Sequence, residues 1–380
     1  MGEHLACLRG WHPALAAAEL AALLPKASHR PTTSHRWVFV DGSTPPQRNE
    51  ALRIASGLQC FLEDGFIHPW DDEHAFLSVV EAYLIQHPVS GSVAVRAWRQ
   101  EGKIPGVSTS SLAGKIGGIM VRGAYDIDLE TPDYILALIA DGPSSSLACG
   151  WMEGGGNASF GSGERRAAER PFFKPVSLDP RLARLAVNLA AGPLGTGPVV
   201  DPMTGTGGFI IEASLSGRDG MGIDIHSEMV EGARRNLAWA HGSDEHPTCS
   251  IERGDATRID DALPDTWHGN VSGFVLDPPY GRNSQGSMDA QSLLKATLES
   301  SYRTASQDAG FVLILPIKPM GERPNLPVEF EEAVELLSGS WPELLLLLKS
   351  CGWLPKSAHV EHVHKSLSRL ILLARYVPQD

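Results

Sequence analysis

A glycine loop around Gly205 and Gly207 and three acids, Asp224, Asp255 and Asp277, stand in chain order on successive strand ends. The last belongs to the run Phe274-Val275-Leu276-Asp277-Pro278-Pro279-Tyr280-Gly281-Arg282. Phe274 to Leu276 reads as a buried strand, and prolines, which lack a backbone N–H, cannot continue it. Asp277 is therefore expected at the carboxyl edge of a sheet, where open α/β sheets bind ligands. The two prolines leave an edge of acceptors, the Asp277 carboxylate and the Pro278 carbonyl. Two acceptors beside the Tyr280 ring suit a planar group that carries an NH2: the amine donates both hydrogens while the rings stack. A proline-terminated strand followed by a turn would explain this segment alone. It does not explain the other three positions.

The second half opens with Val199-Val200-Asp201-Pro202-Met203-Thr204-Gly205-Thr206-Gly207-Gly208-Phe209. A strand passes there through a glycine loop into a helix expected over Ile210 to Leu215. Glycines let a ligand approach the backbone, and free N–H groups at the helix start face it. The spacing is not the Gly-x-Gly-x-x-Gly of nicotinamide dinucleotide folds. Met221-Gly222-Ile223-Asp224-Ile225 reads as the next strand, and its terminal acid can accept bonds from a ribose diol. Arg253-Gly254-Asp255-Ala256 follows a third strand, and an acid there can take an adenine amino group. A lone Asp224 is more often a surface carboxylate; four such positions in register are a strong signal.

The elements that must position these groups divide unequally along 380 residues, a length suited to two or three domains. Residues 1–65 read as strand, helix, strand, helix: Leu5–Leu8, a helix from Pro13 to about Leu24, Trp37–Val40, and a segment from Pro45 whose Leu52, Ile54 and Leu58 fit a helix loosely. This predicts a small ferredoxin-like α+β subdomain. Residues 66–145 read as a helix from Asp71 to Gln86, a strand Val93–Trp98, a helix Ser108–Val121 and a strand Tyr134–Ala140. A glycine-rich linker is expected over residues 146–170, with the change of domain near residue 160. The last domain, residues 171–380, begins with Asp179-Pro180 capping a helix.

Five cysteines, scattered and never in Cys-x-x-Cys spacing, argue against a disulfide framework and a structural zinc. No run approaches a membrane span and no secretory leader is visible, so a cytoplasmic protein is expected. The net charge of −13 opposes a nucleic-acid partner unless a local basic patch carries the contact.

The glycine loop, the two acids after it (Asp224 and Asp255) and Asp-Pro-Pro-Tyr resemble the class I S-adenosylmethionine-dependent methyltransferases that act on exocyclic amines. Arg170-Pro171-Phe172-Phe173-Lys174-Pro175 through Asp179 to Leu189, with His362-Val363-His364-Lys365-Ser366-Leu367-Ser368-Arg369 near the end, resembles the archaeal-type tRNA guanine-10 N2-methyltransferase family. Residues 66–145, notably Val121-Arg122-Gly123-Ala124-Tyr125-Asp126-Ile127-Asp128, are similar to a THUMP domain, an RNA-binding unit. The resemblance implies an α/β fold, a Rossmann-like seven-stranded class I methyltransferase domain preceded by the α+β ferredoxin-like and THUMP region. It ends in a reversed hairpin built from Phe311–Pro316 and strands around Lys356–Tyr376. It implies S-adenosylmethionine held by Asp201, Thr204, Gly205, Gly207, Asp224, Asp255 and Asp277. Asp277, Pro278 and Tyr280 would be catalytic, and Arg96, Arg99, Lys115, Arg122, Arg170 and Lys174 would contact RNA, with Lys103 beside them.

The implied activity is N2-methylation of a guanosine in tRNA, at guanosine 10 by the resemblance and with one methyl or two; no metal, no membrane and a monomer are expected. Ribosomal RNA guanine-N2 and DNA adenine-N6 methylation would use the same four positions. A non-catalytic RNA-binding protein is the alternative of another class, opposed by the intact Asp-Pro-Pro-Tyr and Asp224.

Overall fold

The computed structural model describes residues 3–154, 166–174, 177–241, 247–278, 289–321 and 323–379. Two compact units make up the chain: Met1–Pro13, Lys26–Leu52 and Leu58–Asn157 form one, and Ala14–Pro25, Arg53–Gly57 and Ala158–Asp380 form the other.

The first half of the chain runs β1 (His4–Leu8), α1 (Pro13–Leu23), β2 (Ser28–Pro31), β3 (Trp37–Asp41), α2 (Pro45–Ile54), β4 (Leu58–Pro69), α3 (Glu73–Gln86), β5 (Ser92–Glu101), α4 (Thr109–Arg122), β6 (Asp126–Ile127), β7 (Tyr134–Asp141) and β8 (Ser146–Gly154). Its strands form an eight-stranded sheet ordered β2-β3-β1-β4-β8-β7-β5-β6. Alternation along the strands serves two cores. Leu147, Cys149 and Trp151 pack with Phe76 and Val80 of α3 and Leu112 and Ile116 of α4, while Ala148 packs with Leu5, Trp37 and Cys60. A salt bridge closes part of this unit: Arg48 donates to both carboxylate oxygens of Glu153 at 2.6 and 2.7 Å and to the Ser43 carbonyl at 2.9 Å.

Three expectations are corrected here. The loose helix does not reach Leu58; α2 ends at Ile54 and Leu58 opens β4, which pairs with β1. Cys60 and Leu62 alternate into the core, so pairing outweighs a weak helical period. That strand then runs through the boundary expected at residues 65 and 66, with an irregular register between Glu63 and Phe66. The linker expected from residue 146 begins instead as β8, paired on one side with β4 and on the other with β7. Its small residues belong to close packing: a Cβ on Gly150 would stand 2.9 Å from the Gly65 Cα.

The second half runs α5 (Pro180–Ala191), β9 (Val199–Asp201), α6 (Gly208–Ser216), β10 (Gly220–Asp224), α7 (Ser227–His241), β11 (Cys249–Arg253), β12 (Val271–Leu276), α8 (Ala290–Thr304), β13 (Ala305–Ile317), α9 (Trp341–Ser350), β14 (Trp353–His364) and β15 (Leu367–Tyr376). The seven-stranded sheet is ordered β11-β10-β9-β12-β13-β15-β14. The first five strands are parallel, and β15 runs antiparallel to both β13 and β14, closing the sheet with the expected reversed hairpin. Both faces are covered, so β12 is buried at all six positions and reads as an unbroken apolar run.

Helix α5 lies directly on the strands. A Cβ on Gly273 would meet the Ala191 nitrogen at 2.9 Å, and one on Gly310 the Ala190 oxygen at 2.4 Å. Arg375 donates to the Ala190 and Leu189 carbonyls at 3.0 and 3.1 Å, satisfying the end of α5. Phe274, Phe311 and Trp353 form an aromatic core with ring centroids 5.2–6.0 Å apart. This anchors β12, and with it Asp277. Helix α1 contributes the buried Glu19, which accepts from Asn188 of α5 at 2.7 Å and from the Ser56 and Gly57 amides at 2.9 and 2.6 Å.

Candidate active site

Because β9 to β12 are parallel, their carboxyl ends share one edge, and strand order reverses between β9 and β12. That reversal opens a crevice at the strand ends. Asp201 ends β9, Asp224 ends β10, Asp255 follows β11, and Asp277 follows β12.

The glycine loop is fastened across the end of β10. Thr204 donates its amide to the Ile223 carbonyl at 2.8 Å, and Gly207 donates to the Thr204 carbonyl at 2.8 Å. The Asp224 carboxylate accepts from the Gly205 amide at 3.0 Å through Oδ2 and from the His226 amide at 2.9 Å through Oδ1. Gly205 and Gly207 have φ of +50° and +82°, the left-handed region where a side chain is strained. Apart from its chain neighbours, nothing among the described residues lies within 4 Å of where a Cβ on Gly205 would stand, so that backbone borders open space there. Gly222 is required for a different reason: its Cβ would stand 2.5 Å from the Thr204 hydroxyl.

Asp201 is 1% exposed. Its Oδ1 accepts from the Met203 amide at 3.2 Å, Oδ2 is buried, and the buried Thr204 hydroxyl lies close enough to influence the carboxyl. Burial pushes the Asp201 carboxyl well above the usual carboxylate range. The Met203 amide and the nearby Thr204 hydroxyl pull it down in part, and the charges of Asp224 and Asp277 push it further up. That mutual influence marks the three carboxylates as neighbours at the crevice. Asp255 caps the short turn Ala256–Asp261, accepting from the Thr257 amide and hydroxyl at 2.9 Å, both on Oδ1. Asp277 and Pro278 are partly buried and follow β12 directly. Tyr280, with Pro279, lies outside the described residues.

A supporting clamp was not foreseen. The Asn236 amide on α7 donates to the Phe172 and Thr206 carbonyls at 2.8 and 2.9 Å and accepts from the Phe172 amide at 2.8 Å. One side chain thus ties the segment before α5 to the glycine loop. Gly232, one turn earlier, leaves room for the Phe172 ring; a Cβ there would stand 2.1 Å from it. A glycine and an asparagine four residues apart on a buried helix face were the available signal.

The expected RNA contacts fall apart into different settings. Arg170 is corrected outright: it is 4% exposed, and its guanidinium lies 3.3 Å from where a Cβ on Gly208 would stand, so it serves the interior. Lys174 pairs with Glu228 at 2.8 Å and lies over the Phe172 ring. In the other unit, Arg96 is half-buried and donates to the Leu129 carbonyl. Lys115 pairs with Glu73, and Arg99, Lys103 and Arg122 are exposed. Among the described residues no group of His, Cys, Asp or Glu could hold a metal ion, and no helix is long and apolar enough to cross a membrane.

Residues 167–323 match the RMKL-like methyltransferase domain of the UPF0020 family. A tRNA (guanine(10)-N2)-dimethyltransferase of Pyrococcus abyssi is 34% identical over 232 residues, 61% of this chain and 66% of the relative. A protein of the same description from Methanothermobacter thermautotrophicus is 35% identical over 156 residues, 40% of this chain and 43% of the relative. The chain thus spans just under two thirds of the first relative and less than half of the second. The solved structure of TrmN from Thermus thermophilus is 19% identical, with a TM-score of 0.47 over 98% of this chain and 99% of that one.

Proposed function

We propose that this chain, whose residues 167–323 match the RMKL-like methyltransferase domain of the UPF0020 family, methylates the 2-amino nitrogen of a guanosine in tRNA. The relatives' description points to position 10 and to two methyl groups. The observation that carries the reading is the edge itself: a glycine loop and three acids set around the crevice, with Asp277 and Pro278 beside it.

The residues present fit S-adenosylmethionine. Asp224 keeps lone pairs for a ribose diol while it holds the loop, Asp255 leaves Oδ2 for an amino group, and the Gly205 backbone borders open space. The buried Asp201 carboxyl and Thr204 hydroxyl add polar groups behind the loop. Ile225, 57% exposed directly after Asp224, offers apolar contact to a flat ring. When bound, the cofactor would supply an electrophilic methyl.

The guanine amine is a poor nucleophile because its lone pair is delocalised into the ring. Asp277 and the Pro278 carbonyl, accepting its two hydrogens, would favour a more tetrahedral nitrogen. In the methyl transfer a carbon–nitrogen bond would form in place of the carbon–sulfur bond, whose electron pair would stay on sulfur. The nitrogen gains positive charge, which the fixed Asp277 carboxylate stabilises before the proton departs to it or to water. Tyr280 would stack on the base, which must leave any helical stack to reach the crevice. The N-terminal unit would anchor the RNA as a THUMP-like domain, through exposed cations such as Arg99, Lys103 and Lys115.

The test is nucleoside mass spectrometry of tRNA after incubation with the protein and labelled S-adenosylmethionine. Labelled N2-methylguanosine and N2,N2-dimethylguanosine are expected. Label in ribosomal RNA or DNA with none in tRNA would overturn the substrate; no label in any of the three would overturn the activity.

A further inference from the structure

One groove in the N-terminal unit is lined by acids and apolar side chains rather than by the cations a nucleic acid needs. It encloses about 1330 Å³ between the ends of α3 and α4 and the short edge strand β6. Five carboxylates line it, those of Glu81, Asp126, Asp128, Glu130 and Asp133, against the single cation Arg122. A phosphate chain would meet net repulsion there. Between the acids the floor is apolar and open: Ile85 is 74% exposed, Leu129 65% and Ile127 38%. Single exposed apolar side chains are ordinary, but three around one groove mark a contact surface.

The backbone supplies a third, independent feature. β6 is the last strand of its sheet, paired in parallel with β5 through Asp126↔Ser92 and Ile127↔Val93. The Asp128 amide donates to the Val93 carbonyl at 3.1 Å. Backbone groups alternate sides along a strand, so those of Ile127 are directed to the outer edge, which no strand covers among the described residues. The loop beyond it is held in place. Asp128 accepts from the Glu130 and Thr131 amides at 2.8 and 3.1 Å, and Asp133 accepts from the Ser92 amide at 2.8 Å. Those bonds keep both carboxyls below the usual range, so the rim stays charged at neutral pH.

We propose that this groove docks a protein partner which adds an extended segment to the open edge of β6, alternating apolar side chains with Lys or Arg. Main-chain pairing supplies affinity in such strand addition, and the alternate side chains supply specificity. The apolar side chains would enter between Ile85, Ile127 and Leu129 while the cations meet the acidic rim. Charge complementarity decides the occupant. A second copy of this chain would bring one acidic rim against another, and the carboxylates do not converge into a group able to hold a metal ion.

The test uses the full chain and three short synthetic peptides: one alternating Ile and Lys, one of the same composition interrupted by proline, and one alternating Ile and Glu. Affinity is read by fluorescence anisotropy and location by hydrogen–deuterium exchange. The Ile/Lys peptide is expected to bind and to slow exchange over residues 126–129. Binding should weaken about tenfold or more in the proline peptide and in the surface double variant Glu81→Lys, Glu130→Lys. The Ile/Glu peptide should not bind. Equal binding of the Ile/Lys and proline peptides, or an unchanged affinity in the double variant, would reveal only attraction to a chain of charge −13 and would overturn the proposal. Protection of residues 126–129 by a single-stranded RNA would overturn it too.

Discussion

Asp224→Ala tests how one carboxylate serves both the loop and a ligand. In the structure it holds the Gly205 and His226 amides at 3.0 and 2.9 Å, and a ribose diol would add two further charge-assisted bonds. Two such bonds are worth at most about 3–6 kcal/mol, since each contributes roughly 1.5–3. Asp224 is partly exposed, so solvent competition reduces this to about 2–4 kcal/mol, roughly a 30- to 700-fold rise in the Kd for S-adenosylmethionine. Releasing Gly205 should add to that loss by loosening the loop. Calorimetric titration of the variant measures the affinity, and the melting temperature separates loop damage from ligand contact. Asp224→Asn keeps one acceptor oxygen, so it should fall between the two. An unchanged Kd in the alanine variant would remove Asp224 from the site and refute the fit argued from its geometry.

Asp277→Ala should cut single-turnover methyl transfer to tRNA by roughly 100- to 1000-fold while cofactor affinity holds, because its acceptor matters most as charge develops; retention of more than about a tenth of the rate would make the carboxylate structural. Asp201 has a raised carboxyl, so the folded chain keeps a proton that the unfolded chain loses above about pH 4, and stability must fall as pH rises through that window. Asp201→Asn removes the slope, so its melting temperature should gain on the parent as pH rises above about 4; parallel curves would contradict the shift. Arg48→Ala leaves Glu153 unpaired and should cost the first unit about 2–4 kcal/mol in urea unfolding, with a loss under about 0.5 counting against that bridge. A fragment starting near Gly161 should melt well below the full chain, because it lacks Glu19, the buried partner of Asn188; equal melting temperatures would show that α1 is dispensable.

Much of the site could be read from local chemistry. Pro278 lies just beyond the end of β12, glycines at 205 and 207 allow the left-handed loop, and residue type and spacing alone set Asp224, Asp255 and Asp277 at strand ends. Those features depend on neighbours a few residues apart. The α5 start was legible for the same reason, with Asp179 capping a helix that opens on Pro180.

Other features depend on partners far along the chain. β2 carries no apolar alternation and exists because β3 pairs with it. β8 looked like a linker because small residues and glycines resemble a loop until β4 and β7 supply hydrogen bonds on both sides. Arg170 looked like a phosphate contact because a cation in sequence says nothing of its burial, and the role of Asn236 arises only where Phe172 and Thr206 meet it. Residue types and spacing along the chain determined which groups could do chemistry and at which strand ends they stand. Tertiary structure alone decided which cations are buried, how Asp224 divides its carboxylate, and that Glu19 belongs with Asn188, because burial and long-range pairing arise only when segments distant in sequence pack together.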